Sequence, residues 1–503
     1  MISPSTKPAY IAVDLGAESG RVMLVRLNVT AQALEFQETR RFPTGAFSWN
    51  GELRWNFPRF IEEILAGIAE ACSLEPEVSS VSVDSWGVDY VWSGRDEDML
   101  CLPRHYRDAR TDVTFPEVTE RIGKDTIYGA TGIQFMALNT IYQLADDLKK
   151  RPKLLELADQ FLPIADAIHY VLSGRVACEE TLASTTQLFD PKTRSWSIDL
   201  IQKLGFPERL LPPTVESGTP LGPVRPAIAG AYKISPKLQV VAGCSHDTAA
   251  AVLATPGQGE DWAFLSSGTW SLLGLEEAQP KCDAAAQAAG FTNELGHGGR
   301  IRFLKNIIGL WILQECRRTW EQEGQHLDYA ELTELASGAE PLVSLIDPDH
   351  AAFLKPGNMP HRVQAYCAAT GQPQPESPAA LSRCIMESLA LLYAEVLEQA
   401  QGLAGRRVQC LHLVGGGSKN HLLNQMTADA TGIQVQAGPS EATAIGNALV
   451  QALALGHVTS IEQARSVSRA SEIITTFHPT NQEVWGPVKE RFAQLRARQV
   501  QLV

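Results

Sequence analysis

The sequence predicts an α/β protein built as two related domains. Three observations carry this: the chain opens as strand, strand, strand, helix, strand; strands run into helices again at Gln239 to Ala254 and Val408 to Asp429; and an apolar–small–apolar hairpin near the start recurs half a chain later. At 503 residues the chain exceeds one ordinary domain, and its 44% hydrophobic and 20% charged residues are those of a globular protein with ample core. The break is expected near Pro256-Gly257, giving domains 1–256 and 257–503.

The formal net charge of −14 disfavours nonspecific nucleic-acid binding, so any positive field for an anionic ligand must be local. No apolar run reaches the length of a membrane span, and the start, MISPSTKPA, lacks the apolar core of a signal peptide, so a cytoplasmic protein is expected. Nine cysteines without C-x-x-C spacing argue against a zinc site or an extracellular disulfide framework. Cys367 and Cys384 flank the loop TGQPQPESP between two helical segments and could approach each other, though a reducing compartment disfavours a bridge. No G-x-x-x-x-G-K-[ST] occurs, which argues against a P-loop kinase.

The first hairpin is Tyr10 to Leu27, with apolar arms Tyr10 to Leu15 and Val22 to Leu27 around Gly-Ala-Glu-Ser-Gly-Arg. A tip of small residues lets backbone N–H groups approach an anion, so it could hold a phosphate, with Asp14 a magnesium partner beside it. The alternative is a surface hairpin whose glycines serve only the turn. Ala33 to Pro43 continues as a third strand, and Phe60, Ile64, Leu65 and Ile68 mark a helix over Phe57 to Cys72. Val78 to Val91 reads as a strand broken at Trp86-Gly87, where Asp84, Trp86, Gly87 and Asp89 suit a polyhydroxylated ligand, unless the break is a bulge in a half-buried strand.

Helices are expected around Leu154 to Leu162 and Ala165 to Leu172. In QVVAGCSHDTAAAVLA a buried strand turns through His246, Asp247 and Thr248 into an alanine-rich helix, which Asp247 could simply cap. WAFLSSGTWSLLGL, Trp262 to Leu275, then repeats the opening hairpin with a Ser-Ser-Gly-Thr tip, at a distance far beyond solenoid periods of about 20–50 residues. FLKNIIGLWILQECRRTW reads as an amphipathic helix after a short strand, with Lys305 and Asn306 near its entry and Gln314 farther along. Ser377-Pro378 opens a helix carrying Leu381, Ile385, Leu389, Leu392 and Val396 on one face. Val408 to Asp429 is strand, triple glycine, helix, with Gly432 as its stop, and bare backbone there would let an adenine lie flat. A last helix is expected from Glu441 to Leu455, and the tail to Val503 carries no pattern.

The runs VDLGAESGRVML, VDSWGVDY, GCSHDTAAAV, FLSSGTWSLLG, FLKNIIGLW and LVGGGSKNHLLNQMTADATG, in this order over residues 10 to 455, resemble the FGGY carbohydrate kinases. That resemblance implies two actin-like, ribonuclease-H-type (ASKHA) domains with the active site in the cleft between them. It implies that Ala17, Glu18, Ser19, Gly20 and Arg21 hold ATP phosphates with Thr269, that Gln314 and Gly417 belong to the nucleotide site, and that Gly87, His246, Asp247, Thr248 and Asn306 contact the sugar. Asp247 would be the catalytic base and Mg2+ would sit near Asp14 through water. Glu18 departs from the family pattern, where a small serine-like residue is expected. The implied reaction is transfer of the ATP γ-phosphate to the 1-hydroxyl of a ketose, L-rhamnulose first and another ketose such as L-fuculose as the alternative. ATP-driven chaperones and filament proteins share the architecture, but no peptide-binding region is appended here; intact Asp247, Thr269 and the triple glycine speak against a sugar sensor that has lost catalysis.

Overall fold

The computed structural model describes residues 7–95, 98–498 and 500, so Met1–Thr6 of the opening and Gln501–Val503 of the tail lie outside the described residues. The chain divides into two compact units. The first holds the chain up to Pro256 together with Glu276–Phe303 and Ala442–Ser471; the second holds Gly257–Leu275, Leu304–Glu441 and Glu472–Val503. The first crossing thus falls at Pro256-Gly257, while two later segments return to the first unit.

In the first unit the strands are β1 (Ala9–Leu15), β2 (Ser19–Asn28), β3 (Ala33–Pro43), β4 (Ser80–Ser85), β5 (Thr219–Pro223) and β6 (Gln239–Ala242), in the sheet order β5-β6-β4-β1-β2-β3. β1, β4 and β6 run parallel, and β2 and β3 fold back antiparallel. Every residue of β1 is buried, as in a strand covered on both faces. On one face Ile11, Val13, Leu15, Val22 and Leu24 pack with Phe60, Ile64 and Ile68 of the helix Phe57–Leu74, which Asn56 caps by accepting from the Arg59 amide at 3.3 Å.

A returning helix, Ala442–Ala454, covers β1 and β4 with polar side chains that reach the backbone. Gln451 Nε2 donates to the Ile11 carbonyl at 3.0 Å, and Gln451 Oε1 accepts from Ser80 Oγ at 2.7 Å. This helix also packs on the helix Asp247–Leu253. There Gly446 is needed because a Cβ would lie 1.8 Å from the Ala250 carbonyl oxygen, and the run Ala249-Ala250-Ala251 supplies the matching small surface.

The second unit uses β7 (Trp262–Ser267), β8 (Trp270–Glu277), β9 (Ile301–Ile308, within this unit from Leu304), β10 (Cys410–Val414), β11 (Gln434–Ala437) and β12 (Thr475–Phe477), in the order β9-β8-β7-β10-β11-β12. β7 pairs antiparallel with β8 and parallel with β10, which is parallel to β11. Each unit therefore carries a hairpin followed by parallel strands in matching order, the duplication that the repeated hairpins predict. The helix Pro378–Ala404 begins as expected, with Ser377 Oγ accepting from the Ala380 amide at 3.2 Å, and ends at Gly405 with φ +70°. The helix His421–Thr431 stops at Gly432, φ +73°.

Two expectations are corrected. Only Pro152–Leu157 is helical in the stretch around Leu154 to Leu162; Ala158–Pro163 is a strand antiparallel to Tyr90–Gly94, where Phe161 is buried against Tyr90 and Trp92. Lys305 and Asn306 lie within β9 and not at a helix entry, because Ile301, Phe303, Ile307 and Ile308 favour the pleated form and the helix Trp311–Gln322 starts after Gly309. The tail forms helices Ile461–Ser471 and Gln482–Arg496. All nine cysteines are free thiols; those of Cys367 and Cys384 are buried and hydrogen-bonded to each other, which with burial raises the pKa of Cys384. Among the described residues no helix is long and apolar enough to cross a membrane.

Candidate active site

Register brings the first unit's motifs to one end of its sheet. Asp14 of β1 stands beside Asp84 of β4, and Ser85 bridges to His246 in the turn that follows β6, its amide donating to the Ser245 carbonyl at 2.9 Å. The first hairpin, the VDSWG segment and the SHDT turn thus meet at the carboxyl ends of three parallel strands, where open α/β sheets place ligands.

At the hairpin tip the Gly16 amide donates to the Ser19 carbonyl at 3.0 Å. Thr44 fastens this turn, its amide on the Glu18 carbonyl at 3.1 Å and its hydroxyl on the Gly16 carbonyl at 2.6 Å. Ala17 and Ser19 are half-buried and Glu18 is exposed. Gly20 has a packing reason, since a Cβ there would lie 2.4 Å from the Phe42 ring. Arg21 faces Asp14 across the β1–β2 pair and forms an ion pair with it at 2.5 Å.

Asp247 is the first residue of its helix and not its cap; His246 holds the cap position without a side-chain bond. Asp247 Oδ1 accepts from the Thr248 amide at 2.6 Å and the Thr248 hydroxyl at 3.1 Å, and lies 3.4 Å from His246 Nε2. Oδ2 is left without a protein partner among the described residues. Crowding by protein raises the Asp247 pKa, with His246 opposing and Asp14 adding; the 30% of side-chain surface still accessible moderates this rise. Behind the turn, buried Glu179 accepts from the Ser245 amide at 2.9 Å, and Asp166 accepts from Ser245 Oγ at 3.1 Å.

Gly87 approaches Thr185 so closely that a Cβ would meet its Oγ1 at 2.9 Å. Val88, next to it, is held at φ +70°, a strained position for a β-branched residue, by bonds to its carbonyl from Thr140 Oγ1 at 2.7 Å and Gln143 Nε2 at 3.2 Å. Asp89 is already committed: its Oδ2 accepts from Trp55 Nε1 at 2.6 Å, Trp86 Nε1 at 3.1 Å and the Tyr106 amide at 3.1 Å, and burial pushes its pKa up to about 6. Its carboxylate therefore serves the aromatic cluster and not a sugar hydroxyl.

Asp84 is fully buried, with Oδ2 accepting from Asn447 Nδ2 at 2.6 Å and Oδ1 without any hydrogen-bond partner. Burial raises its pKa well above the ordinary carboxylate range, and the charges of Asp14 and Asp247 raise it further. Asp14, Asp84 and Asp247 thus set three carboxylates against the one guanidinium of Arg21, with an Asp84 oxygen lacking a partner. Among the described residues no group of three or more His, Cys, Asp or Glu side chains is arranged to hold a metal ion.

In the second unit the β7–β8 tip is closed by the Gly268 amide on the Trp270 carbonyl at 2.9 Å. The Trp311 amide donates to the Thr269 carbonyl at 3.1 Å and the Leu310 amide to the Gly268 carbonyl at 3.0 Å, fastening the Gln314 helix to the tip. Gln314 Oε1 is buried without a hydrogen-bond partner. Gly415 takes φ +84°, and a Cβ on Gly417 would fall 2.1 Å from Ser267 Oγ, so the triple glycine packs on the hairpin's own strand. Thr269, Gln314 and Gly417 are thereby gathered about one hairpin, while Asn306 sits half-buried on β9.

Residues 9–254 match the N-terminal domain of the FGGY family of carbohydrate kinases, and residues 263–455 match its C-terminal domain. The chain belongs to this family. Its relatives include a protein named rhamnulokinase from Enterococcus faecalis, 41% identical over 467 residues that cover 92% of this chain and 93% of the relative. Another of the same name from Bacteroides thetaiotaomicron is 39% identical over 480 residues, 95% and 97% of the two chains. Among solved structures, gluconate kinase from Lactobacillus acidophilus aligns at TM-score 0.80 with 14% identity over 98% of each chain, and Plasmodium falciparum glycerol kinase with ADP aligns at 0.77 with 13% identity over 99% of each. These likenesses show the fold, two-domain and of the actin-like α/β kind. As an FGGY carbohydrate kinase the chain is an ATP-dependent sugar kinase, with ATP and a sugar as its substrates.

Proposed function

We propose that the chain transfers the γ-phosphate of ATP to the 1-hydroxyl of L-rhamnulose, giving L-rhamnulose 1-phosphate and ADP in cytoplasmic L-rhamnose catabolism. Relatives named rhamnulokinase, about two-fifths identical over nearly full length, support the choice of acceptor. The observation that carries the chemistry is Asp247: Thr248 holds one carboxylate oxygen, with His246 Nε2 3.4 Å from it, and the other is open.

In this reading Asp247 accepts the proton of the sugar hydroxyl as its oxygen bonds to the γ-phosphorus, while the bond to the bridging oxygen breaks and its electron pair leaves on ADP. Gly87, His246, Thr248 and Asn306 contact the sugar. Ala17, Glu18, Ser19, Gly20 and Arg21 on the first hairpin, with Thr269, Gln314 and Gly417 of the second unit, hold ATP. Asp14 would hold Mg2+ through water, and the ion would supply charge that offsets the phosphates. Arg21, paired with Asp14 without ligands, adds a local cation in a chain of net charge −14.

D247N tests the base. With folding and sugar binding intact it should lower turnover, read as sugar-dependent ADP release, by about 10²–10⁴-fold. Near wild-type turnover would remove Asp247 from that role. A kinetic panel of ketoses tests the acceptor, and a clear preference for L-fuculose would overturn L-rhamnulose.

A further inference from the structure

Behind the proposed base lies a buried arrangement that the reaction as described above does not use. Arg302, fully buried, places Nη2 3.0 Å from His246 Nδ1 and 3.1 Å from Glu294 Oε2; the same carboxylate oxygen is 3.3 Å from His246 Nδ1. Arg302 Nε is fixed on the Leu295 carbonyl at 3.1 Å. The far side of the imidazole, Nε2, is 3.4 Å from Asp247 Oδ1. All four side chains belong to the first unit.

A guanidinium has donors only, so at 3.0 Å from a ring nitrogen it requires that nitrogen's lone pair. Neutral imidazole carries one N–H, and if Nδ1 accepts, the proton resides on Nε2 and faces Asp247. Glu294 alone would pull the other way, because a carboxylate 3.3 Å from Nδ1 favours a proton there. Arg302 contacts both groups, so it offsets the carboxylate and occupies the lone pair at once.

We infer that Arg302 is a positioning residue for phosphoryl transfer, one that fixes His246 as its Nε2–H tautomer so that the imidazole steadies Asp247 Oδ1 and leaves Oδ2 for the sugar hydroxyl. This rests on Asp247 being the base. It also has a consequence of its own: with Nε2 already protonated, the ring cannot take the sugar's proton from Asp247. The proton stays on the carboxyl until product leaves.

The test is ¹⁵N NMR of the histidine side chains at pH 8, with His246 assigned by the signals lost in H246Q. The wild-type ring should show a protonated Nε2 and an unprotonated Nδ1. R302M, similar in length but without a donor, leaves Glu294 as the group at Nδ1. Its His246 should shift to a protonated Nδ1, and kcat should fall about ten- to a hundredfold with the KM for ATP within about twofold. R302K keeps a cationic donor and should recover the wild-type ring pattern and part of kcat. A protonated Nδ1 in the wild type overturns the inference, and so does unchanged kcat in folded R302M. Should R302M not fold, the wild-type spectrum and R302K decide alone. Failure of the base reading is separate: active D247N would remove the base without altering the tautomer that the spectrum reports.

Discussion

Gly446→Ala is the substitution whose effect the geometry defines most closely. An added Cβ would sit 1.8 Å from the Ala250 carbonyl oxygen and 2.4 Å from its carbonyl carbon, both backbone atoms that no rotamer change can move. Contact needs at least 3.0 Å, so the helices Ala442–Ala454 and Asp247–Leu253 must separate by about 1.2 Å, the difference between 3.0 and 1.8 Å. Ala250 lies within one turn of Asp247, and the shift is passed to the base and to Thr248. Overpacking costs about 1–3 kcal/mol, offset by about 1 kcal/mol of improved helix propensity, so the fold should survive. A displacement of about 1 Å at a reacting group lowers rate about a hundredfold. Thermal melts together with sugar-dependent ADP release should show a folded protein with kcat about a hundredfold down and nucleotide affinity near wild type. A folded G446A with kcat within about threefold of wild type would refute the transmission of that shift.

Gly417→Ala should destabilise the ligand-free protein by about 1–3 kcal/mol, because the new Cβ meets Ser267 Oγ at 2.1 Å and Cβ at 2.6 Å, and S267G should restore most of the loss. Denaturant melts of the two single variants and the double variant read this; a variant of full stability with only a raised KM for ATP would assign the glycine to the nucleotide alone. Glu179→Gln concerns pH. Burial pushes the Glu179 carboxyl from its ordinary 4.5 up to about 8, so the folded state keeps a proton that the unfolded state releases between these values. The stability it contributes is present below pH 4.5 and is lost as pH rises to about 8, by up to about 1.4 kcal/mol per pH unit. E179Q cannot ionise and should flatten that slope in melts at pH 5, 6.5 and 8, whereas parallel curves would dissociate Glu179 from it.

Features whose cause is local were legible in the chain. The Gly-Ala-Glu-Ser-Gly and Ser-Ser-Gly-Thr tips announce hairpins because turn chemistry depends on a few adjacent residues, and both hairpins are present. Ser377-Pro378 and Gly432 mark helix ends for the same reason. Where local preference was ambiguous, packing decided. Ala158–Pro163 is a strand because Tyr90–Gly94 offers it an edge, a partner almost seventy residues upstream. Lys305 and Asn306 stand where a short strand gives way to a helix, and the β-branched pair Ile307-Ile308 keeps them in the strand.

The candidate site divides along the same line. Asp14, Arg21, Asp247 and Thr248 could be read from the chain because each sits in a short stretch whose residue types already suggest phosphate or proton chemistry. What sets their behaviour could not. Asn447 reaches Asp84 from 363 positions away and Arg302 reaches His246 from 56, and nothing beside either residue in the sequence betrays the contact. Asp89 looked free to meet a sugar until Trp55, Trp86 and Tyr106 closed on it. By itself the sequence determined the two hairpins, the strand–turn–helix bearing Asp247 and the order of these parts, since each depends on backbone preference and patterning over a few residues. Only the tertiary structure decided which carboxylates are buried, which glycines are there for packing and which way the His246 ring is held, because desolvation and hydrogen-bond geometry arise when distant segments meet.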